Sequence, residues 1–171
     1  MSLNKLTSQF QNALTESQSL AVGRDNAFIE PAHLMFALLQ QENGTVRPLL
    51  SKANVNLNQL TRDLEETMAR LPKVQSSTPG EIYPSKDFTR LLNVTDKLAQ
   101  QRNDEYISSE LFVLAAIQDK SILGDLLRKA GASKALIEQA IKDIRGGEAV
   151  NDPEAEGRRG ALEKYTIDLT S

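Results

Sequence analysis

Residues 10–39, FQNALTESQSLAVGRDNAFIEPAHLMFALL, fall on residues 88–117, FTRLLNVTDKLAQQRNDEYISSELFVLAAI, without a gap when the chain is shifted by 78 positions. Phe10 meets Phe88, Leu14 meets Leu92, Leu20 meets Leu98, Ala21 meets Ala99, Arg24 meets Arg102 and Ile29 meets Ile107. After one deleted residue the shift becomes 77. Leu49-Leu50 then lies on Leu126-Leu127, Lys52-Ala53 on Lys129-Ala130, and Leu60 and Leu64 on Ile137 and Ile141. Self-similarity at a fixed spacing marks a duplicated supersecondary unit. The fold therefore follows from reading one unit and doubling it.

Each unit reads as four helices. In the first, Phe10, Ala13, Leu14, Ser17, Leu20 and Ala21 share one face at the 3.6-residue period between about Thr7 and Val22. Thr7 and Ser85 stand three residues before the matched phenylalanines, where a hydroxyl accepts from the free N–H groups of a first turn. The second helix starts at Glu30-Pro31, with proline where its missing N–H costs nothing, and its partner starts at Ser108-Ser109. Ile29 and Ile107 sit just outside those caps as hydrophobic staples. The third helix ends at Asn54 in one copy and Gly131 in the other, the residue types that best tolerate a left-handed turn. Asn56 and Ser133 then cap the fourth. No sustained period-two alternation occurs, so no sheet is expected. The predicted fold is all-α, an eight-helix orthogonal bundle of two four-helix repeats, about 4–71 and 84–146, related by a pseudo-twofold axis.

Composition bounds the rest. Of 171 residues 40% are apolar and 25% charged, enough for one core without staples. Cysteine is absent, which removes disulfides and thiolate metal sites. A net charge of −3 disfavours a nucleic-acid surface, and no apolar run has the roughly 18 residues of a membrane span. The opening Met1-Ser2-Leu3-Asn4-Lys5 lacks the apolar stretch of a signal peptide, so a cytoplasmic protein is expected. Pro72 to Pro84 reads as the loop between repeats. Gly146-Gly147 opens a charged, unpatterned stretch, and residues 147–160 are expected to be a flexible linker after a domain spanning 1–146. His33, the one histidine, lacks partners for a metal site or a triad and is expected in a first turn with its tip near solvent. The pairs Glu65-Glu66, Asp104-Glu105 and Glu154/Glu156 lie beside no nucleophile, so no catalytic residue is expected.

Phe10 to Leu20 (FQNALTESQSL), Phe28 to Leu39 (FIEPAHLMFALL) and Tyr106 to Ile117 (YISSELFVLAAI) resemble the Clp amino-terminal repeat domain. The Ile-Glu-Pro-x-His-Leu and Ile-Ser-Ser-Glu-Leu-Phe forms look like the ClpB branch rather than the protease-coupled ClpA and ClpC branches. Ala161 to Thr170 resembles the segment opening the first ATPase module, so 161–171 is expected to be its truncated start. The resemblance implies the substrate-engaging domain of a disaggregase. It would bind unfolded or aggregated polypeptide and pass it to a hexameric motor, the fragment itself being monomeric. The alternative is an adaptor-docking domain like those of ClpA and ClpC. ATP and magnesium belong to the full-length protein. No Gly-x-x-x-x-Gly-Lys-[Ser/Thr] occurs here, so this chain is expected to be no enzyme and to need no cofactor.

The resemblance also implies that Thr7, Asp104 and Glu110 border the substrate surface, although capping and dipole complementation account for the same residues. Leu91, Leu92 and Leu98 form a wide apolar arc on one helix. Leu111-Phe112-Val113-Leu114 spreads around another, so some of these side chains must face the other unit or solvent. The expected site is a shallow apolar groove along Leu91, Leu92, Leu98 and Leu111 with an acidic rim at Asp104 and Glu110.

Overall fold

The computed structural model describes residues 3–74, 81–146 and 148–156. After a 3-10 turn at Leu3–Lys5, the first repeat contributes α1 (Ser8–Gly23), α2 (Pro31–Gln40), α3 (Val46–Lys52) and α4 (Leu57–Arg70). The second contributes α5 (Lys86–Gln101), α6 (Ser109–Gln118), α7 (Ile122–Lys129) and α8 (Lys134–Arg145). The expected punctuation holds. Thr7, Asn56, Ser85 and Ser133 accept from the amides of Phe10, Gln59, Phe88 and Leu136. Asn54 and Gly131 adopt φ of 63° and 100°, the left-handed conformation that ends α3 and α7.

Within each repeat α1 packs on α2 and α5 on α6, while α2 meets α4 and α6 meets α8. Across the repeats α3 meets α8 and α4 meets α7, the two contacts exchanged by the pseudo-twofold. α6 is buried at every position from Ser109 to Ile117, and α2 at all of Pro31 to Leu39 except Phe36. Of the two outcomes expected for the Leu111–Leu114 run, the structure shows contact with the other unit, through α3, and none of the four side chains meets solvent. A helix apolar all round is buried all round, and α6 has α3, α5, α7 and α8 about it.

One correction is a short parallel ladder. β1 (Phe28–Ile29) pairs with β2 (Tyr83–Pro84), and an isolated bridge joins Leu6 to Ile107. The 78-residue shift turns one pairing into the other. The amide of Ser85 donates to the carbonyl of Ile29 at 3.0 Å, and that of Thr7 to the carbonyl of Ile107 at 3.0 Å. Each repeat thus enters its first helix along the loop of the other. A two-residue ladder between distant segments needs no alternating pattern, so periodicity does not reveal it.

His33 departs from expectation too, being fully buried. Its Nδ1 accepts from the amide of Glu30 at 2.9 Å, so the ring proton sits on Nε2 and points at Asn26 Oδ1, 2.9 Å away. Burial, aided by the charge of Arg24, lowers its pKa to about 4. A base whose folded pKa lies below its unfolded value of 6.5 adds stability that is complete above that value and is lost as pH falls toward 4. Denaturation followed from pH 7 to pH 4 should show a loss on the order of 2 kcal/mol attributable to this ring. A His33→Gln chain should lack that component.

Candidate functional site

The acidic residues singled out by the resemblance converge on a side chain it does not include. Arg145, the last residue of α8, donates from Nη1 and Nη2 to the two oxygens of Asp104 at 3.1 and 2.8 Å. Its Nε donates to Glu110 Oε1 at 3.0 Å, and Nη2 also reaches Ser108 Oγ at 3.1 Å. The side chains of Arg145, Asp104 and Glu110 are only 7%, 0% and 1% exposed. Burial works against the guanidinium charge, yet the two carboxylates outweigh it and hold the Arg145 pKa above its ordinary value. The rigid guanidinium fork suits such a bidentate contact.

Beyond α8 the chain returns over this cluster. The amide of Val150 donates to Asp104 Oδ1 at 3.0 Å, and its carbonyl accepts from the amides of Glu105 and Tyr106 at 2.8 and 3.1 Å. The carbonyl of Pro153 accepts from the amide of Ser8 at 2.9 Å, and Ser8 Oγ donates to Glu154 at 2.5 Å. Glu156 is fully buried. One of its oxygens accepts from Thr7 Oγ1 and from the amide of Ser109 at 3.1 Å, the other from Thr45 Oγ1 at 2.9 Å. Ser109 opens α6, where free amides and the macrodipole suit a carboxylate. Burial first, and then the charge of Glu110, push the Glu156 carboxyl above the usual carboxylate range.

These contacts correct two expectations. Residues 148–156, read as linker, belong to the packed domain, held by hydrogen bonds that an apolar-pattern reading does not register. Residue 147 and residues 157–171, including the expected ATPase-module start at 161–171, lie outside the described residues. The acidic rim is likewise no rim. Asp104 and Glu110 are buried ion-pair partners, and Thr7, fully buried, caps α1 while donating to Glu156. Of the expected groove, Leu91 and Leu111 lie in the core, whereas Leu92 and Leu98 are half-buried against it. Sequence reasoning passed over Arg145, Val150 and Thr45, and it set Glu156 aside as half of a solvated pair in the linker. A signal was present: matched positions exchange Asn26 for Asp104, Ala32 for Glu110 and Met68 for Arg145, three coordinated changes toward charge.

The raised carboxyl of Glu156 gives a prediction with a definite sign. Its contribution to docking is complete below its unfolded value of about 4.5 and is lost as pH rises through the higher folded value. Exchange of the amides of Val150, Glu105 and Tyr106, corrected for intrinsic pH dependence, should therefore show protection weakening with rising pH. Glu156→Gln should flatten that dependence, and Glu156→Ala should remove most of the protection at a global cost of about 1 kcal/mol.

Among the described residues no helix is long and apolar enough to cross a membrane, and no group of acids and histidine is arranged to hold a metal ion. Residues 5–130 match the Clp repeat (R) N-terminal domain family. The chaperone protein ClpB of Vibrio cholerae is 52% identical over 170 residues, covering 99% of this chain and 20% of that protein. ClpB of Pseudomonas putida is 49% identical over 170 residues, with the same coverage of each. The chain thus spans about a fifth of the length of these relatives. Among solved structures, the Hsp104 N-terminal domain from Candida albicans gives a TM-score of 0.77 at 23% identity, covering 89% of this chain and 99% of that one. A ClpV N-domain solved in complex with VipB peptide gives 0.67 at 21% identity, covering 86% and 91%. At those identities the two structures show a shared fold.

Proposed function

This chain belongs to the Clp repeat N-terminal domain family, and from that premise we propose that it is the polypeptide-engaging module of a ClpB-type disaggregase. It captures unfolded or aggregated chains and presents them to an ATPase motor carried by the remainder of such a protein. The observation that carries the reading is the 52% identity to a ClpB chaperone across 170 residues, with both repeats included. ATP, magnesium and hexamer formation belong to that remainder, and the domain contributes recognition without chemistry. The cytoplasm is the compartment this role requires.

The described tail narrows where recognition occurs. With residues 148–156 docked, Thr7, Asp104 and Glu110 are covered, so in this state a client meets other parts of the bundle. Binding is expected to be weak, with Kd on the order of tens to hundreds of micromolar, because a disordered partner loses ordering entropy. An NMR titration of this chain with a permanently unfolded protein, and separately with the same protein folded, tests the proposal. Saturable shift changes with the unfolded form alone are expected. Silence toward the unfolded form would overturn it. Binding confined to a folded partner would replace it with adaptor docking, the reading favoured by a ClpV N-domain that holds a partner peptide.

A further inference from the structure

Of residues 148–156 only Val150 and Glu156 are buried, and the other seven are exposed or half-buried. So little apolar burial places the segment at the low-stability end of the domain. What holds it is polar. Val150 bonds to Asp104, Glu105 and Tyr106, the carbonyl of Pro153 to Ser8, and Glu156 to donors from Thr7, Thr45 and Ser109. Charge works against these bonds. The segment carries four acids, Glu148, Asp152, Glu154 and Glu156, and no base. It lies over Asp104 and Glu110, whose one buried cation, Arg145, they already share. At its root Gly146 adopts a left-handed φ of 61° and is followed in the sequence by a second glycine, a pair that lets the chain swing.

We propose that residues 148–156 are a releasable strap, switching between lying over the starts of α1 and α6 and swinging free from Gly146, with Glu156 as its latch. The latch is worked by a proton. Glu156 is held by the starts of α1, α3 and α6, and the charge that acts on it is that of Glu110. Behind Glu110 stand Asp104 and Arg145, so the three formally total one negative charge before Glu156 adds its own. The remaining ionisable groups nearby are Lys5, Glu42, Arg47 and Glu105 on the bundle and Glu154 on the strap, all exposed, with Asp152 half-buried. Solvent screens them, so Glu110 decides the sign: ionised Glu156 is repelled and protonated Glu156 stays. Docked, the chain beyond residue 156 departs from the starts of α1 and α6. Released, it departs from the end of α8 on a tether longer by about ten residues, a root-mean-square reach of about 17 Å. Release also uncovers Thr7, Asp104 and Glu110. This device does not rest on the function proposed above.

The test measures the distance between two spin labels on the whole chain. Cysteine is absent, so Gln11→Cys on α1 and Asn151→Cys on the strap, both exposed, supply unique attachment points. A narrow distance distribution should dominate near about pH 5 and a broad one near about pH 8, with helix content unchanged. The docked-to-released ratio should fall about ten-fold for each pH unit between the released value of about 4.5 and the higher docked one. Added salt near pH 8 should restore the narrow distribution by screening the repulsion. Glu156→Gln should stay narrow throughout, and Glu156→Ala broad throughout. Thr45→Val, which removes one donor, should broaden at lower pH than the parent and serves if Glu156→Ala does not fold. A narrow distribution in the parent at every pH would make the segment a fixed part of the fold and overturn the switch. A broad one at every pH overturns the docking, and broadening that comes with loss of helix content overturns it as unfolding. A Glu156→Ala chain as narrow as the parent overturns the latch.

Discussion

Replacing Arg145 with methionine should cost the domain about 3–5 kcal/mol, because it removes the guanidinium that the buried carboxylates of Asp104 and Glu110 share. Those side chains are 0% and 1% exposed, so water cannot take the place of the guanidinium without opening the α5–α6 corner. The other repeat supplies the control. At the matched positions it carries Asn26, Ala32 and Met68, all buried, with Met68 fully so. The triple replacement Asp104→Asn, Glu110→Ala and Arg145→Met should therefore recover most of the loss, to within about 1–2 kcal/mol of the parent. Breaking one member of a buried ionic group is costly, whereas exchanging the whole group for apolar packing is often neutral. Denaturant midpoints of the parent, the single and the triple variant decide it, and a triple variant no better than the single one would count against the account.

The second large effect is expected at Gly124. A Cβ there would stand 2.1 Å from the carbonyl oxygen of Asp119 and 2.9 Å from that of Ala116. Both are backbone atoms, so relief requires α7 to move away from the end of α6. Overpacking of this kind typically costs about 1–3 kcal/mol, and a backbone clash this short belongs at or above the upper end for Gly124→Ala. The cause is the one-residue deletion between the repeats. Residues 41–45 join α2 to α3, but only 119–121 join α6 to α7, so α7 is drawn closer. In the first repeat the matched position is Arg47, whose Nη1 donates to the carbonyl of Leu39 at 3.0 Å. In the second, Arg128 reaches the equivalent carbonyl of Ile117 at 2.9 Å, leaving position 124 to the close approach. Thermal melts of the parent and the Gly124→Ala chain would show the loss.

The bundle was legible in the sequence wherever its physics is local. A cap such as Thr7 or Ser133, a left-handed stop such as Asn54, and a staple such as Ile29 each act within a few residues of themselves, so the repeat displays them twice. The polar cluster was not legible in the same way. Arg145 meets Asp104 and Glu110 across 41 and 35 residues, and nothing in the last turn of α8 distinguishes an inward arginine from a solvated one. Glu156 is a stronger case. It stands in a stretch whose composition reads as tether, yet three donors from α1, the start of α3 and the start of α6 converge on it. Burial of a single acid by fixed donors leaves no periodic trace. The expected acidic rim failed for a related reason. The residue types were placed correctly near the start of α6, but whether they face water depends on a segment about 40 residues downstream.

The crossed entry of the repeats bears on how such a domain can assemble. The amide of Thr7 is answered by Ile107 and that of Ser85 by Ile29, so the residue that caps each half's first helix has its own amide satisfied by the other half. A polypeptide carrying one repeat would satisfy those amides only by embracing a second copy, each lending its leading segment to the other. Joining two copies in one chain turns that bimolecular encounter into an intramolecular one, at an effective concentration on the order of millimolar. Cutting the chain between Leu71 and Ser85 should reverse the advantage. The two fragments would then rebuild the domain at a rate that rises with their concentration, as a heterodimer does.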